Sequence, residues 1–256
     1  MMNYPETEDN LGRYKNHDKF IELAQYLLSL GYNINLAGYG NSTCLDNAPH
    51  IEDMELIKFL LDNGADPNVG SFIGDGGEIL GRTVLEHVWE DEIVDKDYDF
   101  TPLAKLLLSY GALTGPDGEK LDENELDKLI NEMKVENRWD DSLCSGLSKL
   151  ESALINCAKF LYFYHVALIA RNGGNIGVRD SRGRNLLQIV IEDAEPEKRN
   201  PKDYQNDLAE IILTLLCGLK LKLSKEEIEQ AKATCREKGY TEALDAITSV
   251  TSKSRK

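Results

Sequence analysis

Histidine is scarce in this chain. Only His17, His50, His87 and His165 are present, and none belongs to an H-E-x-x-H pair or to a His/Cys spacing that suits zinc. The five cysteines, Cys44, Cys144, Cys157, Cys217 and Cys235, include no C-x-x-C and are odd in number. That argues against a disulfide framework and favours reduced core thiols, as at Leu215-Leu216-Cys217, in a cytoplasmic protein. Basic residues are in deficit, 29 against 45 acidic, which sets the net charge at −16. Such a field repels nucleic acid and anionic membranes and attracts a basic protein surface. The longest apolar run, near Phe160 to Ala170, is broken by His165 and is too short to span a bilayer. Met1 to Asn10 is polar and acidic, unlike a secretory leader. No strand-like alternation of useful length occurs, and there is no G-x-S-x-G. The expectation is an all-α protein with no cofactor, no metal and no catalytic residue.

What the chain does have is a repeated helix ending. In Asp53 to Asn68, Leu56, Ile57, Leu60 and Leu61 recur at helical spacing and predict one buried stripe. Gly64 then supplies a left-handed stop, and Pro67 prevents the helix from resuming. The same ending appears at Tyr26-Leu-Leu-Ser-Leu-Gly31, Leu106-Leu-Leu-Ser-Tyr-Gly111 and Leu168-Ile-Ala-Arg-Asn-Gly173, and more weakly at Leu213-Thr-Leu-Leu-Cys-Gly218. Gly31 and Gly64 stand 33 residues apart, and the later intervals are longer, as insertions would make them. Helices are expected to end near Gly31, Gly64, Gly111 and Gly173.

These residues resemble the second helix and outgoing turn of an ankyrin repeat. The first half of the unit is similar too: Thr43-Cys-Leu-Asp46, Gly81-Arg-Thr-Val-Leu-Glu86 and Asp180-Ser-Arg-Gly-Arg-Asn-Leu-Leu-Gln188 keep parts of the Gly-x-Thr-Pro-Leu-His pattern. None keeps the family histidine. Asp46, Glu86 and Gln188 stand there, so different hydrogen bonding between hairpin and helix is expected. Thr101-Pro102 reads as a cap and first residue of an outer helix.

The resemblance implies one domain over 1–256, an ankyrin-repeat-like α-solenoid of antiparallel helix pairs. Residues 18–111 hold the clearer repeats, 112–160 a divergent helical insert, 161–223 further repeats and 224–250 capping helices. Inside the insert Asp122 and Glu125 have capping-box spacing, as do Ser224 and Glu227 further on. Ser142 to Arg171 reads as one long helical pattern with a kink near Gly146. Gly239 should end the helix opened by Ser224, and Thr241 to Val250 should form the last one.

Several stretches invite chemistry and give it little support. His87 beside Glu86, Glu90 and Glu92 lacks a recognisable partner set. The glycine-rich Gly70 to Gly81 lacks Gly-Lys-Ser/Thr and carries Asp75 and Glu78, so it reads as a finger between repeats that displays Phe72 and Ile73. Asp95, Asp97 and Asp99 begin like a calcium loop, but Phe100 and Leu106 occupy the positions where that loop needs Gly and Glu. Arg179, Arg182 and Arg184 form a basic island that either pairs with neighbouring acidic tips or meets an acidic segment of a partner.

The function implied by the resemblance is a non-enzymatic scaffold that binds another protein through hairpin tips and the inner helices of a concave face. Candidate contacts are Tyr39, Asn41, Phe72, Ile73, Trp89, Glu90, Glu92, Tyr98, Arg182 and Arg184, since aromatic and arginine side chains dominate interface energetics. The partner should present a basic surface, and the scaffold itself should be a monomer that binds neither nucleic acid nor membrane. Family roles include bacterial effectors delivered into a host cytosol and toxin-neutralising or inhibitory binders. The alternative is an enzyme whose active site lies in the irregular 113–156 insert.

Overall fold

The computed structural model describes residues 17–36, 38, 43–47, 53–69, 83–88, 101–114, 120–193 and 201–253. Those residues are all-helical, and the one β-type contact among them is an isolated bridge between Arg179 and Asn185. The chain forms two compact units, Met1–Val84 and Leu85–Lys256.

The first unit holds α1 (His17–Ser29), α2 (Cys44–Asn47) and α3 (Met54–Asp62). Helix α3 starts where the Asp53 carboxylate accepts the Leu56 amide at 2.9 Å. Its apolar stripe Leu56, Ile57, Leu60 and Leu61 is buried, as the periodicity predicts. Each such leucine contributes roughly 1.5–3 kcal/mol on leaving water. The division between units falls within α4 (84–88). The second unit continues with α5 (Thr101–Ser109), α6 (Glu123–Val135), a short 3-10 turn (Asp141–Leu143), α7 (Lys149–Lys159), α8 (Phe163–Arg171), α9 (Leu186–Asp193), α10 (Pro201–Leu213), α11 (Lys225–Lys238) and α12 (Thr241–Lys253).

Helix endings repeat with one geometry. Helices α1, α3, α5 and α8 each stop two residues before Gly31, Gly64, Gly111 and Gly173, whose φ values are 84°, 89°, 90° and 93°. At Gly64 the glycine amide donates to Leu61 O and the next amide, Ala65, donates to Leu60 O. The same pair closes the other three helices, so carbonyls that a bare helix end would leave open are satisfied. A side-chain-assisted turn then follows in three of the four. Asn33, Asp66 and Asn175 each accept the amide two residues on, at 3.0, 2.9 and 3.0 Å. In the first unit one asparagine joins successive turns: Asn35 donates to Gly64 O at 3.0 Å and accepts from the Asp66 amide at 2.8 Å.

Two helix starts are closed by reciprocal bonds. Asp46 accepts both the amide and the hydroxyl of Thr43, at 2.7 and 2.9 Å, while Thr43 accepts the Asp46 amide. Asn185 and Gln188 exchange the same reciprocal bonds at the start of α9, at 3.1 and 2.9 Å. A polar side chain three residues into the helix thus closes the cap.

Two expectations change. Ser142 to Arg171 is not one kinked helix but a 3-10 turn, then α7 and α8 as a tight hairpin. The Ser148/Glu151 capping box starts α7, and Leu161, at φ 60°, reverses the chain with the same two amide bonds that glycine makes elsewhere. Gly218 is also not a left-handed stop. A π-turn over Thr214–Gly218 takes in one more residue, and Lys220 adopts the positive φ, at 56°. Gly218 is small for another reason: a Cβ there would lie 2.4 Å from Leu113 Cδ2. Among the smaller differences, Thr101 already lies inside α5, and α12 runs on to Lys253.

Within the second unit, α7 packs on both α8 and α9, α9 on α11, and α10 on both α5 and α12. The Lys238 ammonium ties α11 to the end of α9 by donating to Ile191 O at 3.0 Å and Glu192 O at 2.6 Å. Lys105 similarly joins α5 to Asn206 of α10 and Glu242 of α12.

Gly64→Val is expected to cost about 1–2 kcal/mol from left-handed backbone strain, because nothing lies within 4 Å of the new Cβ to clash with it. Asn35→Ala should cost a similar amount by removing two hydrogen bonds of roughly 0.5–1.5 kcal/mol each. Urea unfolding midpoints equal to wild type would refute either assignment.

Candidate protein-interaction surface

The best-defined surface in the second unit is the finger between α8 and α9. Asp180 builds it. Its side chain is fully buried, and Oδ1 accepts the amides of Arg182 and Arg184 at 2.9 and 2.8 Å. Gly183, at φ 80°, lets the tip close. The finger leans on the 3-10 turn: the Ser181 amide donates to Leu143 O at 3.0 Å and its hydroxyl to Ser142 O at 2.6 Å.

The three finger arginines have different surroundings. Arg184 is clamped, with Nε donating to Asp180 at 2.8 Å, Nη1 to Glu192 at 3.0 Å, and Nη1 and Nη2 to Asp193 at 2.8 and 2.7 Å. The hydrogen bonds it donates to Asp193 raise its pKa above the ordinary arginine value even though burial works the other way. Arg184 hydrogen bonding likewise holds Asp193 below the usual carboxylate range. Arg179 donates to Glu227 at 2.7 Å and to Gly183 O at 3.0 Å. Glu227 also accepts Asn185 Nδ2 at 3.0 Å and caps α11. Its carboxyl is held at about 2, first by the Ser224 amide and then by Arg179 and Asn185. Arg182 is exposed and forms no ion pair with the described residues. Of the two arginines proposed for partner contact, Arg182 is therefore displayed and Arg184 is committed to holding the finger. Tyr39, Asn41, Phe72, Ile73, Trp89, Glu90, Glu92 and Tyr98 lie outside the described residues, as do the glycine-rich finger and the Asp95–Asp99 cluster.

Past the ends of α6 and α7 stands a group of aromatic side chains that sequence reasoning did not single out. Trp139 Nε1 donates to Asp141, in the turn that supports Ser181, at 2.7 Å. The Lys134 ammonium lies 5.2 Å from the centre of the Trp139 ring. Arg138 donates to the Tyr162 hydroxyl at 2.6 Å, and that hydroxyl donates to Glu136 at 2.9 Å. The Arg138 guanidinium also covers the Tyr162 ring at 5.6 Å. His165 packs on Tyr162 and edge-on to Tyr164, with ring centres 5.7 and 5.2 Å apart. Lys159 completes the ledge by pairing with Asp140 at 2.9 Å while lying 5.3 Å from the Phe160 ring. Burial works against charge on Asp140, yet hydrogen bonds from Lys159 and Ser142 bring it to about 2. All of these rings are half-exposed. The available signals were Arg138-Trp139 and the run Phe160 to His165, which apolar periodicity reads only as helix.

Burial pushes the thiols of Cys144 and Cys157 up, and that of Cys235 up to about 11, so these three are not thiolates near neutrality. No group of three His, Cys, Asp or Glu side chains among the described residues could hold a metal. The insert carries an open trough of ≈ 520 Å³ along α6, lined by Asp127, Lys128, Asn131, Glu132 and Val135 among others. Its charges pair locally, Asp127 with Lys149 and Lys128 with Glu132. No described helix is long and apolar enough to cross a membrane.

No known protein-family model matches the chain, nor does any curated protein or solved structure.

Arg184→Met should cost about 3–5 kcal/mol, because it strands Asp180 and Asp193 without their cation. Acid should destabilise the second unit through Glu227, Asp140 and Asp193, whose folded pKa values lie below the unfolded ones. Their contribution is complete above the unfolded carboxylate range near 4 and is lost as pH falls from there towards about 2. Glu227→Gln should make the urea midpoint less dependent on pH in that window, and an unchanged slope would count against its paired role.

Proposed function

We propose that this chain is a divergent ankyrin-like scaffold that binds another protein and carries no catalytic centre of its own. Support for the repeat reading comes from the recurrence of one helix stop and one side-chain turn, and from the Asn35 bridge between successive turns. Support for binding comes chiefly from a single observation: the exposed Arg182 finger rests, through Ser181, on the 3-10 turn whose Asp141 accepts from Trp139. Tryptophan, tyrosine and arginine are the side chains that most often dominate interfaces. Here their rings are already held by cations and hydrogen bonds, so little rotamer freedom remains to be lost on docking.

The −16 charge favours a partner with a basic rim, attracted at long range and screened by salt. Arg182 would then meet a carboxylate or carbonyl within that partner's contact area. Roles as a host-directed effector or an inhibitory binder are compatible with this chemistry and are carried by the family resemblance alone.

The test is affinity capture with quantitative mass spectrometry, comparing wild type with Arg182→Glu and with Tyr164→Ala. A partner retained by wild type should be depleted at least about tenfold by either variant, the effect of losing one interface anchor. Equal recovery by all three proteins would remove this surface from consideration.

A further inference from the structure

The link between α10 and α11 carries charge of the opposite sign to the rest of the protein. Along it exposure alternates: Lys220 and Lys222 are exposed, Leu221 is buried, and Leu219 and Leu223 are half-buried. Lys225, the first residue of α11, is exposed as well. Three lysines thus fall within six residues of a chain whose net charge is −16. None of the three forms an ion pair with a described residue, whereas Lys105, Lys149 and Lys159 each meet a carboxylate. Glu227, two residues past Lys225, is committed elsewhere. It accepts the Ser224 amide at 2.8 Å, Arg179 at 2.7 Å and Asn185 at 3.0 Å. Glu226 is the remaining acid in this stretch.

The link is held in place. The Leu219 amide donates to Thr214 O and the Leu221 amide to Leu215 O, both at 2.9 Å, so the lysine stems leave from a fixed backbone. Lys220 sits at φ 56°, where most positive-φ positions among the described residues are glycine. A side chain there strains the backbone, and this one is exposed, so packing does not offset the strain. Strain of this kind collects at positions that contact ligands.

We propose that the Lys220–Lys225 strip docks an acidic segment of a partner protein, taken in extended form, with carboxylates on Lys220, Lys222 and Lys225 and apolar side chains over Leu219 and Leu223. This site shares no side chain with the surface on which the scaffold reading rests. Alternate residues of an extended segment project to one face, which matches the alternation of the link. A short segment suits the strip better than a long polyanion. The −16 charge repels nucleic acid or an anionic membrane along its whole extent. A short segment meets the local cations while acids beyond about 8 Å are screened at physiological salt. Exposed ion pairs are individually weak, so the strip acts as one contact of a larger interface and gains from the effective concentration that the rest supplies.

Amide chemical shifts of the full chain test the site, at physiological salt, against a short synthetic peptide that alternates glutamate with serine and leucine. Shifts should centre on residues 219–225, and replacing the glutamates of the peptide by glutamine should abolish them. Lys220→Gln with Lys222→Gln and Lys225→Gln should weaken binding at least about fivefold, the effect of losing three exposed pairs. Lys19→Gln with Lys120→Gln and Lys128→Gln changes the net charge equally at exposed lysines elsewhere, and should change affinity less than about twofold because remote charges are screened. Lys220→Gly should weaken binding and raise the urea midpoint, since glycine relieves the left-handed backbone. Absence of shifts up to millimolar peptide, or shifts centred elsewhere, would overturn the proposal. So would equal losses in the two triple variants, a lowered urea midpoint for Lys220→Gly, or binding of anionic vesicles or duplex RNA at the same residues. Arg182 and Tyr164 are untouched in every variant, so failure here leaves the capture experiment on the finger unaffected.

Discussion

A helix can be followed closely by another only if its last carbonyls find donors while the chain reverses. In this protein one backbone state meets both needs. A residue at positive φ, one or two places beyond the helix, turns its own amide and the next one back onto the last turn. Glycine does this at Gly31, Gly64, Gly111, Gly173 and Gly239, while Asn137 and Leu161 do it at the cost of a left-handed side-chain-bearing residue. Much of the fold hangs on that reversal. It sets up the turns at Asn33, Asp66 and Asn175, and it brings Asn35 to the next turn.

Charge is organised around the same connections. The protein is acidic overall, yet many of its described cations act inward. Arg184 holds the finger against the end of α9, Arg179 joins the finger to the cap of α11, and Lys238 satisfies the last carbonyls of α9. Half-buried pairs of this kind are costly to break on one side, because the remaining carboxylates lose their counter-charge in a place water cannot fully reach. Arg182 stands apart with its side chain in solvent.

Much of the helical order was legible. Apolar spacing located α3 and its buried stripe, glycine marked four helix ends within two residues, and two capping boxes stood where Asp122/Glu125 and Ser224/Glu227 suggested. These features are local: each depends on residues within about one helical turn, where propensity and hydrogen-bond chemistry act without distant help. The candidate site was less legible. Arg182 and Arg184 read alike along the chain and differ because Asp180, Glu192 and Asp193 hold the Arg184 side chain and form no ion pair with that of Arg182.

By itself the sequence determined helix content, the positions of most helix ends, and the acidic field. Tertiary structure decided three further things. It turned Ser142 to Arg171 into a hairpin, because Leu161 could be forced left-handed once its flanking helices packed. It made Gly218 a matter of space beside Leu113 instead of a helix stop, since a π-turn displaced the positive φ to Lys220. It also brought Arg138, next to Trp139 in the chain, onto Tyr162. Side chains separated by more than 20 residues meet only when the backbone between them has folded, and no local pattern encodes that meeting.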